Sequence, residues 1–144
     1  MISPDPARIE VTRDIATCRR LRRVVFIEEQ GVSEADEVDG LDESAIHLLA
    51  YVNDAPVGTA RLLIAGAVGK IGRVCVLRGA RGTGLGAALI RAALAEFRDM
   101  PEVNRVKLGS QSQATGFNEA LGFRVVGEEF IDAGIPHREM VLDL

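Results

Sequence analysis

The stretch that most limits what this chain can become is Arg73-Val74-Cys75-Val76-Leu77, followed after a short turn by Arg81-Gly82-Thr83-Gly84-Leu85-Gly86. A β-branched run feeds a glycine-rich turn, and the turn opens into Ala87-Ala88-Leu89-Ile90-Arg91-Ala92-Ala93-Leu94. The order strand, turn, helix leaves bare backbone N–H groups at a helix N-terminus, where the dipole also favours negative charge. A ligand carrying phosphate is therefore the first expectation.

Bulk properties narrow the class. With 144 residues the chain fits one domain over 1–144, and 47% hydrophobic residues suffice for a full core. The net charge of −4 argues against a general nucleic-acid binder. The start Met1-Ile2-Ser3-Pro4-Asp5-Pro6 lacks the basic and apolar regions of a leader, and no segment approaches the roughly 20 apolar residues that span a bilayer. Cys18 and Cys75 have no paired spacing and read as free buried thiols. A cytoplasmic protein with no membrane partner is the expectation.

Arg8–Val11 alternates polar and apolar, as a first strand would. Thr12 can cap a helix carrying Asp14 in its first turn, with Ile15, Cys18, Leu21 and Val25 as its apolar stripe and Gly31 as its stop. Arg19, Arg20, Arg22 and Arg23 read most simply as the solvated face of that helix. The segment Gly31 to Ile46 holds Glu34, Asp36, Glu37, Asp39, Asp42 and Glu43 without a lysine or arginine. It fails as an EF-hand: placing Gly40 at position 6 puts Ala35 at position 1 and Ile46 at position 12. No metal site is expected. The acids read as solvated loop charge or, more sharply, as an attractor for a cationic substrate.

Ala45–Val52 and Val57–Ile64 form a hairpin about Asn53-Asp54-Ala55-Pro56, and Ile71–Leu77 follows a second glycine turn. The glycine-rich helix ends before Pro101; Val103–Leu108 is a strand, Ser112–Ala120 a short helix, and Phe123–Ile131 and Glu139–Leu144 two final strands. The class is α/β, in its α+β sense: a mostly antiparallel twisted sheet of six to seven strands flanked by helices.

Three phosphate motifs compete for the turn. A Walker A loop needs lysine and then serine or threonine after its last glycine; Gly79 to Gly84 has the spacing, but Leu85 follows. Gly82-x-Gly84-x-x-Ala87 matches the dinucleotide fingerprint, but the next strand ends in Lys107-Leu108-Gly109-Ser110, without the acid that would bind ribose. The third is Arg81-x-x-Gly84-x-Gly86 after a strand. Together with Val24–Val32, Asp39-Gly40, Ala45-Ile46-His47, Gly58-Thr59-Ala60-Arg61, Gly72–Leu77, Gln111–Phe123 and Gly134-Ile135-Pro136-His137, it resembles the GNAT N-acetyltransferases of the ElaA/YjcF-like subgroup.

The resemblance implies acetyl-CoA as cosubstrate, with its pyrophosphate on Arg81, Gly82, Thr83, Gly84, Leu85 and Gly86. It implies a pantetheine arm along Val74, Cys75, Val76 and Leu77, with contacts from Gln111, Phe117 and Asn118. The backbone N–H of Val76 would polarise the thioester carbonyl. The expected reaction is direct acetyl transfer to an amine, a small cationic one if the acidic loop attracts it. Glu28, Glu29, His47, His137 and Glu139 are the candidates for taking the ammonium proton or orienting the amine. Where the family often carries a tyrosine acid, Phe117-Asn118-Glu119-Ala120-Leu121-Gly122-Phe123 has Asn118, which has no useful proton to give. A weakly catalytic or non-catalytic acyl-CoA-binding module is the alternative, and a homodimer through an exposed terminal strand stays open.

Overall fold

The computed structural model describes residues 7–144; the start on which the leader reading rests lies outside the described residues. Seven strands form one sheet: β1 Arg8–Thr12, β2 Ile46–Val52, β3 Ala55–Ala65, β4 Val68–Val76, β5 Arg105–Gln111, β6 Arg124–Asp132 and β7 Ile135–Asp143. Their spatial order is β1-β2-β3-β4-β5-β7-β6, antiparallel throughout except for β4 and β5. Helix α1 (Ile15–Arg22) runs on as a π-helical segment, Arg23–Glu29; α2 is Glu34–Glu37, α3 Leu85–Arg98 and α4 Thr115–Ala120.

Asp14, not Thr12, caps α1: its carboxylate accepts from the Thr17 N–H, while Thr12 Oγ1 accepts from the Asp14 N–H. An ionised carboxylate is the stronger acceptor at the positive helix end, so the first turn starts two residues later than the sequence suggests. Tight hairpins join β2 to β3 and β6 to β7. Asn53 and Asp54 both take positive φ, as do Ala133 and Gly134, matching turns whose twist suits antiparallel strands. The second turn is shorter than Asp132–Pro136, so β7 begins at Ile135 and His137 becomes a strand residue.

Helix α3 covers one sheet face through Leu85, Leu89, Ile90, Ala93, Leu94 and Phe97, against Leu48, Ala60, Leu62, Ile71, Val106, Leu108 and Met140. Gly69 is required there: a Cβ on it would sit 2.5 Å from the Phe97 ring. Helix α1 covers part of the other face through Cys18, Leu21 and Val25 on Leu49 and Cys75.

The split that matters lies between β4 and β5. They pair only through Val68–Ile71 against Arg105–Leu108, and then diverge. At the point of divergence β4 bulges: the register with β3 shifts between Thr59 and Arg61, and Arg73 sits at φ 51°. Ligands of α/β folds sit where neighbouring strands part at their carboxyl ends.

Candidate active site

The parted strands open into a cleft of about 370 Å³. Its walls come from the end of the π-helical segment (Phe26, Gln30), α2 (Asp36, Glu37), β4 (Gly72, Arg73, Val74), β5 (Gly109, Ser110, Gln111), α4 (Phe117, Asn118) and the β6–β7 hairpin (Asp132, His137). The π-helical winding, in which the Gln30 N–H reaches back to the Val25 carbonyl at 3.2 Å, ends the helix at this wall.

Just past β4 the Leu77 N–H donates to the Val57 carbonyl at 2.8 Å, on the β3 side. Successive strand amides alternate direction, so the Val76 N–H points the other way, where β5 pairing has already ended at Ile71. The Val76 carbonyl on that side accepts from Arg81 Nε at 2.8 Å. Cys75 points away from this seam into the α1 core; burial pushes its thiol up to about 12, which removes the thiolate a nucleophile needs.

At the glycine turn, Gly82 (φ 79°) and Gly84 (φ 85°) occupy the left-handed region that side chains resist, and Thr83 Oγ1 donates to the Ala80 carbonyl at 2.6 Å. Gly84 begins α3 without a side-chain cap, so the first amides of Leu85, Gly86 and Ala87 are left for an anion. Phe117 stands over this end, 3.7 Å from where a Gly86 Cβ would be. The Arg81 side chain is held by Glu29 at 2.9 Å as well as by Val76, so the anion-binding capacity of the turn resides in its backbone.

Asn118 is 6% exposed. Its Nδ2 donates to Ser110 Oγ at 2.9 Å and to the Ala114 carbonyl at 3.3 Å. A carbonyl only accepts, so the nitrogen must face Ala114, and Oδ1 is left buried with no partner. A buried polar atom without a partner costs about 1–3 kcal/mol. In a cleft-lining residue this one is a free acceptor for an N–H or S–H donor. The asparagine thus does not present a donor toward a leaving thiolate.

The candidate bases separate. His137 lines the cleft and stacks on Phe130 with ring centroids 5.8 Å apart. Its Nδ1 lies 2.7 Å from the Ile135 carbonyl and must donate to it, so in the neutral ring Nε2 is the acceptor. His47 is 2% exposed on β2, with Nε2 against the Asp42 carbonyl at 2.9 Å, and does not line the cleft. Glu29 is paired to Arg81 and, at 3.6 Å, to Arg78; Glu28 is exposed; Glu139 lies 3.6 Å from Lys107.

The reading of the arginines as a solvated helix face holds for Arg19, Arg20 and Arg23 but is corrected at Arg22, and the reading of the loop acids as solvated is corrected at Glu37 and Asp42, which are buried. Arg22 is 1% exposed, with Nε to Glu37 at 2.6 Å and its two terminal nitrogens to Asp42 at 3.0 and 2.8 Å. Arg61, from β3, holds Asp39 at 2.7 and 2.8 Å and Asp42 at 3.1 Å. Arg73, at the bulge, donates to the Glu37 carbonyl at 3.1 Å. Hydrogen bonds from Arg61, opposed by partial burial, hold the Asp39 carboxyl down at about 2. Burial alone would raise Asp42, but Arg22, Arg19 and Arg61 keep it below the usual carboxylate range. What is left over is Asp36, a cleft wall whose carboxylate has no ion pair among the described residues; Asp132 across the cleft has none either. Nothing in the spacing of the acids singles out Asp36; only its neighbours' arginines do. No group of histidine, cysteine and acidic side chains among the described residues could hold a metal.

A sheet parted at its one parallel pair, with an uncapped glycine-led helix beside the parting, is the architecture of a GNAT-type acyltransferase. The chain matches the family model for the acetyltransferase (GNAT) domain over residues 24–144. It is 42% identical over 133 residues to a candidate acetyltransferase of Bacillus subtilis, covering 90% of each chain. With the uncharacterized N-acetyltransferase YjcF of the same organism it shares 36% over 124 residues, 85% of this chain and 88% of the other. Escherichia coli ElaA superposes with a TM-score of 0.82 at 27% identity, over 96% and 99% of the two chains. A Bacillus subtilis acetyltransferase solved with CoA shares the fold at a TM-score of 0.75 and 18% identity, over 96% and 99%. This chain belongs to the GNAT acetyltransferase family and is an acyltransferase. No helix among the described residues is long and apolar enough to cross a membrane.

Proposed function

We propose that the chain transfers the acetyl group of acetyl-CoA directly to a primary amine, which enters the cleft as a cation between Asp36 and Asp132. The observation that carries this reading is the orphaned Asn118 Oδ1, in a cleft also lined by Gly72, Arg73 and Val74, the part of β4 beyond its last β5 pair. A pantetheine arm offers amide N–H donors that suit that oxygen and the open strand edge. The uncapped start of α3 suits the pyrophosphate. The CoA-bound acetyltransferase of the same fold supports this choice of cosubstrate.

In this reading the Val76 N–H steadies the charge that grows on the thioester oxygen. His137 Nε2 receives the proton of the ammonium, directly or through water, and the freed amine attacks the acetyl carbon. The C–N bond forms, the nitrogen gives its second proton to solvent, the C–S bond breaks, and solvent protonates the thiolate, whose pKa of about 8.5 makes an enzymic acid dispensable. The committed Nδ2 of Asn118 favours a second reading, acyl-CoA binding with slow turnover. Calorimetric titration with acetyl-CoA, then thiol release over a panel of amines, separates them. Binding with amine-dependent thiol release supports the enzyme; binding with no release across the panel supports the module; no binding refutes both.

A further inference from the structure

The sheet face opposite α3 is not fully covered by α1. Beyond the acceptor cleft it carries a second hollow of about 710 Å³, walled by apolar side chains including Leu41, Leu63, Val68, Val126 and Val141. The two hollows meet at Lys70, which lines both. Side chains alternate along a strand, so Lys107, Gly109 and Gln111 of β5 share this face, as do His137, Glu139 and Val141 of β7 and Lys70 and Gly72 of β4. Between the His137–Gln111 row and the lysine row, the positions of Gly72 and Gly109 carry no side chain. Nothing lies within 4 Å of a Cβ built on Gly72, whereas the Phe130 ring comes within 3.7 Å of one on Gly109, whose cross-strand partner is Glu139.

The lysine row is unusual. Lys70 and Lys107 are the chain's only two lysines, and they stand directly across from each other on paired strands. Like charges so placed repel. Lys107 is relieved by Glu139 at 3.6 Å, and nearby Arg105 by Asp143 at 2.7 Å. Lys70 has no ion pair among the described residues. An uncommitted cation beside an apolar hollow, continuous with a site for an amine, asks for an anionic group on the same ligand.

Strand geometry sets the spacing. Four residues of β5 separate the Gln111 row from the Lys107 row, about 13 Å at about 3.3 Å per residue. A lysine stem leaning back shortens that by up to about 6 Å. The reactive nitrogen and the anion are therefore about 7–13 Å apart, while in a free amino acid they are within about 4 Å.

We infer that the acceptor is an elongated amine with a carboxylate at its far end and an apolar middle, of the size of a short peptide with a free C-terminus. It lies in the trough with that carboxylate on Lys70. This rests on the acetyl-transfer reading above. The test is acetylation of a tripeptide such as Ala-Leu-Leu as free acid and as C-terminal amide, with spermidine alongside, followed by thiol release and product mass. The free acid should exceed the amide at least tenfold in kcat/KM, and Lys70→Glu should collapse that ratio to about one. Calorimetry with acetyl-CoA checks that the variant is folded. Equal use of acid and amide, or acetylation of spermidine without the acid peptide, overturns the inference and leaves acetyl transfer standing. A stable dimer abolished by Ile64→Glu would put a second copy over the trough and also overturn it. Should no amine release thiol, the catalytic reading falls, and titration of the peptide pair into CoA-loaded protein still decides: acid-selective binding lost in Lys70→Glu upholds the trough, and equal affinities refute it.

Discussion

Replacing Arg22 by alanine should be among the most damaging single changes in the protein, although arginine is usually a surface residue. Three short, charge-assisted hydrogen bonds disappear, at 2.6, 2.8 and 3.0 Å, from a side chain that is 1% exposed. Each such bond contributes about 1.5–3 kcal/mol. The full sum is not expected, because Asp42 keeps Arg19 at 2.8 Å and Arg61 at 3.1 Å. Glu37 fares worse: Arg73 Nε, its one other cation, is 3.6 Å away, and the carboxylate is buried. Removing one side of a buried ion pair costs about 3–5 kcal/mol, most of it the stranded charge. For 144 residues an unfolding entropy of about 0.3 kcal/mol/K converts this to a fall in Tm of about 10–17 °C.

The control is Arg23→Ala. Arg23 bonds Glu34 at an equally short 2.7 Å, but the side chains are 56% and 66% exposed, so under about 1 kcal/mol is at stake. Thermal unfolding followed by circular dichroism reads both variants. A loss below about 4 °C in Arg22→Ala, or an equal loss in Arg23→Ala, refutes the reasoning that burial rather than bond length sets the cost. There is a functional signature too. The network ties α2, and with it Asp36, to β4, whereas the glycine turn lies apart from it. Below its melting point the variant should raise KM for the amine while leaving acetyl-CoA affinity within about twofold.

Further outcomes follow from the same geometry. Gly69→Ala should destabilise by about 3 kcal/mol in denaturant melts, because its Cβ would meet a fully buried Phe97 ring at 2.5 Å; a change under about 1 kcal/mol would show that the ring moves freely. His137→Gln should lower kcat about 100-fold with acetyl-CoA affinity kept, and a loss under threefold would remove it as base. Cys75→Ala should retain turnover, and Cys75 should resist alkylation at pH 8, since burial pushes its thiol to about 12; an acetylated Cys75 in a quenched reaction would restore a ping-pong route. On acidification, Asp39 stays ionised to about 2 while its unfolded counterpart protonates near about 3.9. The unfolded state then binds the extra protons, so this stability is whole above about pH 4 and drains away between about 4 and 2. Urea midpoints at pH 5 and pH 3 measure it, and Asp39→Asn should shrink the difference.

What the sequence disclosed and what it withheld divide along a physical line. The strands, α3 and the glycine turn were legible because each rests on local preferences: alternation, 3.6-residue periodicity, and left-handed φ at Gly82 and Gly84. Seven strands stand where six to seven were expected, and of the α3 stripe that the spacing of Leu85, Leu89, Ala92 and Ala93 suggests, widened by Ile90, Leu94 and Phe97, all are buried but Ala92, which is half-buried. The misreadings are tertiary. A helix face bearing Arg19, Arg20, Arg22 and Arg23 looks solvated throughout, but a loop of opposite charge pairs with Arg19, Arg22 and Arg23 and buries Arg22, and nothing within either segment names the other as partner. Asn118 was legible as a departure from a tyrosine, but its amide orientation was not, because that depends on Ser110 and on the Ala114 carbonyl. Arg73 belongs to both kinds of feature. Its residue type suggests nothing strained, yet it holds φ 51° at the bulge where β4 leaves β5. A non-glycine residue persists there only when its surroundings over-determine it, and its guanidinium is fixed by the Asp36 and Glu37 carbonyls and by Asp39. The acidic loop, read as solvated charge or as an attractor for a cationic substrate, has a structural task. It clamps the bulge that keeps the strands apart, and of its two acids at the cleft, Asp36 and Glu37, leaves only the Asp36 carboxylate without an ion pair among the described residues.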